Sequence, residues 1–152
     1  MVTVATAVPG IVLGQSMKSE IVGSWQLISV VDQYDSGERV NNWGSAKGNM
    51  TFDAGGRFSQ IIIGDAQPAL KTADPRKPDA PVVAYYGTYT VDEAKKTLAV
   101  NIEAASWSAR VGASFPSSVE VKDGVMKMVG GVRKDQMGQF RPVLELKRAP
   151  SL

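Results

Sequence analysis

The segment VVAYYGTYTV, residues 82–91, is followed by DEAKK, residues 92–96, and then by TLAVNIEAAS, residues 97–106. In the two outer runs, β-branched and aromatic residues alternate with smaller or polar ones, while the middle run is short and charged. This pattern is typical of two antiparallel strands joined by a tight turn. Since similar runs recur along the chain, the sequence predicts an all-β fold.

Six further runs have the length and composition of strands: residues 25–31, 49–53, 57–63, 118–122, 125–132 and 140–148. Turn chemistry separates several of them, as in Asp35-Ser36-Gly37, Ala54-Gly55-Gly56 and Asp123-Gly124. Eight strands are enough to close a barrel around one small ligand. Because all but two connections are short, we predict an eight-stranded antiparallel up-and-down β-barrel over residues 17–149.

The segment 64–81 interrupts this pattern with prolines at positions 68, 75, 78 and 81. Neither a helix nor a central strand tolerates prolines at this density. A loop of this length within one domain is often functional. It is expected either to lie across one mouth of the barrel as a lid or to be a solvated surface loop.

Composition narrows the classes of function. The chain has 152 residues, 43% of them hydrophobic, and a net charge of only +2, without a basic and aromatic stretch suited to nucleic acid. It contains neither His nor Cys, so the commonest general base and the usual zinc ligands are missing. No metal site, no cofactor and no nucleic-acid partner is therefore predicted.

The first residues look like an export signal. Residues 2–13 are apolar and small and precede Gly14-Gln15-Ser16, and the first charged side chain is Lys18. The run is too short to span a bilayer, which takes about 20 apolar residues. Residues 1–16 are expected to be the remnant of a leader, which would make the protein periplasmic or secreted, or else an N-terminal arm.

Two features at the ends of the predicted barrel carry a family resemblance. Gly23-Ser24-Trp25 opens the first strand, and Arg148 ends the last strand in phase with Leu144 and Leu146. A Gly-x-Trp at the entry and an Arg at the exit resemble the lipocalins. The resemblance implies that Trp25 closes the barrel floor and that Arg148 stacks over its ring, a cation–π contact worth about 0.5–2 kcal/mol.

The similarity narrows to the bacterial and fungal lipocalin-like domain proteins. Three blocks carry it: IVGSWQLIS at 21–29, GRFS at 56–59 and YGTYTVDE at 86–93. The resemblance implies a calycin-type barrel, often without assigned activity and sometimes linked to secondary-metabolite chemistry. The Thr-Asp-Tyr block and the cysteines of secreted animal lipocalins are missing, so the ligands of those proteins are not carried over.

Residues expected to point into the barrel form a candidate ligand-binding set: Phe52, Phe58, Gln60, Tyr86, Tyr89, Ile102, Met126, Met128 and Leu144. On the strand 97–106 the apolar residues Leu98, Val100, Ile102 and Ala104 share the inner face. For the strand 82–91 the phase alone does not say which tyrosines point inward. Core filling is the more common use of methionines at such positions.

Polar candidates for the interior or the rim are Arg57, Gln60, Tyr86, Glu103, Trp107, Arg133 and Arg141. Arg57 follows a tight turn and is expected to pair with Asp53 or Asp35. Glu103 is expected to be solvated or paired on the outer face rather than catalytic. The pair Gly130-Gly131 predicts a bulge or bend in the seventh strand.

These residues leave three functions open. The favoured one is a binding protein that holds a small hydrophobic molecule, with no catalytic residue assigned. A cyclase- or isomerase-type enzyme could use the same cavity and would need a buried ionisable group there, such as Glu103 or Tyr86. A structural barrel with a filled core would show no cavity larger than a few waters. The sequence does not indicate the oligomeric state.

Overall fold

Eight strands of the chain pair edge to edge in a closed ring, as seen in a computed structural model that describes residues 14–151. The ring runs β1–β3–β4–β5–β6–β7–β8–β10 and closes by pairing of β10 with β1, every pairing being antiparallel. The predicted eight-stranded antiparallel barrel is therefore confirmed. Most of the predicted leader, residues 1–13, lies outside the described residues, and export stays a prediction.

The described elements have the following bounds: α1 Met17–Ile21, β1 Gly23–Tyr34, β2 Arg39–Val40, β3 Lys47–Phe52, β4 Arg57–Ile63, β5 Val82–Asp92, β6 Thr97–Ala105, β7 Ser114–Lys122, β8 Val125–Gly130, β9 Arg133–Asp135 and β10 Gly138–Arg148. Two 3₁₀ turns, Pro68–Leu70 and Ser108–Arg110, lie in connections. The short strands β2 and β9 were not predicted. They pair with the ends of β1 and β10 outside the ring, and their few residues leave too short a pattern to detect.

Bulges shift the inward phase on two strands. In β1 the pairing with β10 slips between Leu27 and Ser29, so that Val30 follows Trp25 and Leu27 into the interior. In β6 the register of pairing with β5 shifts between Tyr86 and Gly87. As a result Ala105 packs against the core, and not Ala104 as predicted. Strict alternation fails at both places because a bulge inserts one residue into one strand only.

Of the bulge or bend predicted at Gly130-Gly131, the structure shows no bulge, since the pairings of β8 have no register shift. Strand β8 ends at Gly130, and the chain leaves the sheet at Gly131. A side chain at Gly130 would meet Pro142 on β10, since an added Cβ would lie 2.8 Å from the proline Cγ. Glycine is therefore needed there for close approach of two strands, and not for a kink within one strand.

The two ends of the barrel differ because up-and-down wiring puts alternate connections at opposite ends. One end, called the floor, carries the tight β3–β4, β5–β6 and β7–β8 hairpins and the start of β1. The other end, called the mouth, carries the four long connections at 35–46, 64–81, 106–113 and 131–137. Any opening wide enough for a ligand is consequently expected at the mouth.

Helix α1 plugs the floor. Its Met17 and Ile21 are buried, and the Ile21 carbonyl accepts a hydrogen bond of 2.8 Å from the indole Nε1 of Trp25. At the start of the helix, the backbone N–H groups of Met17 and Lys18 donate to the Glu93 carboxylate at 2.8 and 3.1 Å. Glu93 lies in the β5–β6 hairpin, so one carboxylate ties the helix to the barrel.

Trp25 and Arg148 meet at the floor as the resemblance implied. The Trp25 side chain is fully buried, and the Arg148 guanidinium lies 4.3 Å from the centre of its ring. Arg148 also donates to the carbonyls of Val22 at 3.0 Å and Glu20 at 2.5 Å. Gly23 has a φ of +128°, and an added Cβ would lie 2.8 Å from the Arg148 guanidinium, so this position requires glycine.

Aromatic rings fill the lower half of the barrel above Trp25. Phe52 packs edge-on against Tyr89, with ring centres 5.2 Å apart, and stacks with Phe58 at 6.3 Å. The Tyr89 hydroxyl donates to the Asp53 carbonyl at 2.5 Å and thereby joins two floor hairpins. Burial raises the Tyr89 pKa, and the phenol stays a neutral hydrogen-bond donor at physiological pH.

No helix within residues 14–151 has the length and hydropathy needed to cross a bilayer. Within the same range, no three carboxylates gather into a group that could hold a metal ion.

The Arg148→Met variant tests the floor contact. Methionine keeps the apolar stem but removes the guanidinium from the Trp25 ring and from two carbonyls, so we expect the free energy of unfolding to fall by about 1–3 kcal/mol. Urea denaturation followed by tryptophan fluorescence measures the change. The neighbouring exposed Lys147→Met is the control, and an equal loss in both variants would contradict the assigned role.

The Glu93→Gln variant tests the helix anchor through its pH dependence. The hydrogen bonds from the Lys18 and Met17 amides lower the pKa of Glu93, so its stabilising effect is present above the ordinary carboxyl pKa. That effect is lost as the pH falls through the lowered pKa. We expect wild type to be more stable than Glu93→Gln at neutral pH and the difference to vanish in acid.

Urea midpoints across the pH range measure this difference in stability. The control is Glu120→Gln, because the Glu120 side chain is exposed on β7. A difference that persisted unchanged at the lowest pH would show that the ionised carboxylate is not the stabilising group.

Candidate functional site

A cavity of about 410 Å³ occupies the upper half of the barrel, between the aromatic core and the mouth. Its walls come from β1, β3, β4, β5, β6, β7, β8 and β10, so every strand of the ring contributes to it. Since one water occupies about 30 Å³ of liquid, the space holds about a dozen waters. The cavity is therefore larger than the few waters expected of a structural barrel with a filled core.

The walls of the cavity below the rim are mostly apolar and are set by residues from facing strands: Val30, Met50, Ile62, Val83, Val100, Phe115, Met128 and Leu144. Ser117, Gly130 and Pro142 also line the cavity. In the lower half of the barrel, Phe and Tyr rings pack against one another. These rings fill the lower half, whereas the side chains above them leave the upper half hollow.

Two polar groups lie within this apolar wall. Gln60 is only 5% exposed and sits on β4 opposite Tyr85 of β5. Burial raises the pKa of the Tyr85 phenol, while the positive charges of Arg110 and Arg133 and the hydrogen bond with Gln60 act in the opposite direction. Tyr85 is thus a neutral hydroxyl facing the cavity at physiological pH, able to donate a hydrogen bond.

Three of the four mouth connections supply the rim. The connection 35–46 contributes Trp43, the connection 106–113 contributes Trp107 and Arg110, and the connection 131–137 contributes Val132 and Arg133. Asp32, near the end of β1, is the carboxylate among the lining residues and accepts a hydrogen bond of 2.9 Å from Asn42. The rim is therefore aromatic and charged, in contrast to the deeper walls.

The fourth connection, 64–81, contributes no residue to the cavity lining, so the structure does not place the proposed lid over the mouth. Most of its side chains are exposed, and Arg76 pairs within the loop with Asp74. The amide of Asp65 donates to the Trp43 carbonyl at 3.1 Å. The loop thus contacts the rim residue Trp43 without lining the cavity. Of the two predicted possibilities, it is the solvated surface loop.

Arg110 is held at the mouth by two aromatic rings. Its guanidinium lies 5.0 Å from the ring centre of Trp107 and 4.3 Å from that of Phe115. The 3₁₀ turn Ser108–Arg110 sets this position, and the Arg110 amide donates to the Trp107 carbonyl at 3.0 Å. Arg110 is therefore held beside two rings and also lines the cavity.

Arg133 is held by the pairing of β9 with β10. Phe140 is its partner across that ladder, and the next residues are fixed because the Tyr34 hydroxyl donates to Asp135 at 2.6 Å. This hydrogen bond raises the pKa of Tyr34 to about 12. Burial lowers the pKa of Arg133, and the nearby charge of Arg110 lowers it further. Both guanidinium-bearing residues line the cavity at its rim.

The structure brings three of the nine candidate ligand-binding residues to the cavity, namely Gln60, Met128 and Leu144. Five others belong to the packed core below it: Phe52, Phe58, Tyr89, Ile102 and Met126. Tyr86 lies on the outer surface, half exposed. The sequence left open which tyrosines of β5 point inward. In the structure Tyr85 and Tyr89 point inward and Tyr86 points outward.

The polar candidates divide in the same way. Trp107 and Arg133 line the cavity, whereas Arg57, Glu103 and Arg141 lie on the outside. Arg57 pairs with Glu103 at 2.7 Å, so its predicted partners Asp53 and Asp35 are wrong, while the outer-face pairing expected of Glu103 is confirmed. The partner of Asp35 is Arg141 at 3.5 Å.

Sequence reasoning missed Asp32, Trp43, Tyr85, Arg110 and Phe115 as cavity residues. Arg110 and Trp43 lie in connections, where alternation gives no inward or outward phase. Tyr85 could have been chosen over Tyr86 from the pairing of β4 with β5, because Gln60 and Tyr85 face each other across that ladder. That register is not visible in one strand alone.

No protein-family model matches the chain, and no curated protein matches it. Among solved structures, the chain is similar to a lipocalin-like protein from Bacteroides uniformis, with 13% sequence identity and a TM-score of 0.47 over 86% of this chain and 99% of that chain. The closed eight-stranded ring agrees with the sequence prediction, and the contact of Arg148 with Trp25 agrees with what the resemblance implied. The fold is a closed eight-stranded antiparallel β-barrel.

The positions of the tryptophans predict a selective fluorescence response. Trp43 and Trp107 line the cavity and Trp107 is 55% exposed, whereas Trp25 is buried in the floor. A double variant, Trp43→Phe with Trp107→Phe, should show blue-shifted emission with little quenching by acrylamide, because only Trp25 remains. Dodecanol added below its solubility limit should change the emission of wild type and leave that of the double variant unchanged.

Trp25→Phe is the complementary variant and should keep the response to dodecanol. A response retained in the double variant would show that the added molecule binds away from the mouth.

Proposed function

We propose that this protein binds a small, mainly apolar molecule in the upper half of its barrel. The observation that carries the proposal is the unfilled cavity of about 410 Å³ with apolar deeper walls. Ligand pockets in proteins are of this size and have few polar groups among apolar side chains. Because apolar surface otherwise faces water, a ligand that covers it gains about 25 cal/mol of binding free energy per Å² buried.

The distribution of polar groups supports binding with a defined orientation. The buried Gln60 and the neutral Tyr85 hydroxyl offer hydrogen bonds on one wall, and the charges are confined to the rim. A ligand would therefore place its apolar part next to Met128 and Leu144 and its polar part toward the mouth. Met128 has a flexible side chain that adapts to the shape of a ligand.

An enzymatic use of the cavity was expected to need a buried ionisable group there, and the two examples offered by the sequence, Glu103 and Tyr86, lie on the outer face. Tyr85 is the ionisable group that faces the deeper cavity, and its raised pKa keeps it protonated and unable to act as a base near neutral pH. Binding without a chemical change is therefore the function that this geometry supports best. The mass of a bound molecule, read before and after incubation, separates the two functions.

The test is native mass spectrometry of the purified protein before and after organic extraction, followed by addition of a panel of lipids and terpenoids. We expect a bound molecule that leaves on extraction with its mass unaltered, or rebinding from the panel. A clean unliganded mass with no binding from the panel would overturn the proposal. A change in the mass of the added molecule would favour an enzyme.

A cavity-filling variant locates the binding site. Val83 faces the cavity from β5, so Val83→Trp should occupy the space and reduce affinity for a panel ligand by at least about tenfold, since several methylene groups lose their burial. Isothermal titration calorimetry measures the affinity. The matched control is Ile61→Trp, because Ile61 is half exposed on the outer face of the adjacent β4.

Both variants should keep the wild-type far-ultraviolet circular dichroism. Equal affinity in Val83→Trp and wild type, or equal loss in both variants, would contradict binding within the barrel.

A further inference from the structure

Two of the seven arginines in the chain line the cavity, and their surroundings differ from those of the others. Arg57, Arg76 and Arg141 each pair with a carboxylate on the outer surface, and Arg148 donates to two carbonyls at the floor. Arg39 is exposed on β2. Arg39, Arg110 and Arg133 make no ion pair and no side-chain hydrogen bond within the described part of the chain, and of these three Arg110 and Arg133 line the cavity.

Arg110 and Arg133 are brought to the same cavity by different connections. Arg110 comes from the connection after β6 and lies over the rings of Trp107 and Phe115. Arg133 comes from β9 and is exposed at the rim, and desolvation of its guanidinium and the charge of Arg110 lower its pKa. Since an arginine remains charged in proteins, two positive charges converge on one side of the mouth.

Few negative charges are available to balance them. Asp32 is the carboxylate among the lining residues, and it is already hydrogen-bonded to Asn42. It raises the Arg133 pKa only as the weakest contribution. Two arginines and one carboxylate among the lining residues leave an excess of positive charge at the cavity, which favours an anionic group on a ligand.

The Tyr85 hydroxyl belongs to the same group of side chains. Tyr85 lines the same cavity as Arg110 and Arg133, and Gln60 lies opposite it on the neighbouring strand. Two guanidinium N–H edges and one phenolic O–H are all donors. A group of this kind matches an oxyanion, since charge-assisted hydrogen bonds to oxygen are among the strongest in proteins.

We propose that the ligand is an amphiphile with a single carboxylate head group, held between Arg110 and Arg133 with a hydrogen bond from Tyr85, and with an apolar body that extends toward Met128 and Leu144. This proposal rests on the proposed binding function and adds the chemical class of the ligand. The apolar walls supply affinity for any hydrophobic molecule. The two arginines select the molecules that carry a negative charge at one end.

Three probes with the same chain and different head groups separate the two proposals: dodecanoate and dodecylammonium, each used below its critical micelle concentration, and dodecanol, used below its solubility limit. Isothermal titration calorimetry at neutral pH gives their affinities for wild type. We expect dodecanoate to bind at least about tenfold more tightly than dodecanol and dodecylammonium to bind most weakly, since a charge-assisted hydrogen bond is the difference. Added salt should reduce the preference for dodecanoate.

Variants assign the preference to residues. Arg110→Gln and Arg133→Gln should each weaken the affinity for dodecanoate by about tenfold. The affinity for dodecanol should stay within a factor of about two of that of wild type. Tyr85→Phe should have a smaller effect in the same direction. The matched control is Arg39→Gln, which removes the same charge from β2, outside the cavity lining, and should not change the ratio of the two affinities.

The outcomes are distinguishable. If dodecanol binds as tightly as dodecanoate, or if Arg39→Gln reduces the ratio as much as Arg110→Gln and Arg133→Gln do, the carboxylate proposal is overturned while the binding function stands. Tighter binding of dodecylammonium overturns it as well and points to Asp32. If none of the three probes binds and the lipid and terpenoid panel is also negative, both proposals fail.

Discussion

The backbone hydrogen bonds between β1 and β10 join the two edges of a sheet that would otherwise be open. Their register runs from Trp25 opposite Arg148 at the floor to Tyr34 opposite Phe140 near the mouth. The first pair explains the cation–π stack, because the same pairing that closes the ring brings the guanidinium over the indole. Closure, the plugged floor and the position of α1 are therefore one connected arrangement, since Ile21, Val22 and Glu20 all bond to this pair.

The barrel is solid at one end and hollow at the other because of the sizes of its inward side chains. Near the floor these are Trp, Phe, Tyr and Met, and they pack against one another. Near the mouth they include Val83, Ser117, Gly130 and Pro142, which do not reach across the ring. Eight-stranded barrels are just wide enough for side chains to fill, so a small reduction in side-chain volume opens a cavity. The same ring thus serves both stability and binding.

Chemistry is concentrated at the mouth because only the long connections there are free of the alternation that strands impose. Trp43, Trp107 and Arg110 come from connections, and Arg133 from the short β9 just beyond the ring. The floor hairpins are too short to contribute such groups and are used for anchoring, as Glu93 and Tyr89 show. A ligand that enters the cavity therefore meets aromatic and positively charged residues first and apolar walls afterwards. This order suits an amphiphile that enters with its apolar end leading.

The sequence by itself determined the number of ring strands and their antiparallel order, because alternation and turn residues are local signals, while the floor pair of Trp25 and Arg148 followed from the family resemblance. It also placed Gln60, Met128 and Leu144 on the inner face and Glu103 on the outer one. It could not place Tyr85, Ala105 or Val30, since bulges and cross-strand register decide which face a residue takes. The convergence of Arg110 and Arg133 was decided only by the tertiary structure, because closing the ring brings two connections together that are distant in the chain.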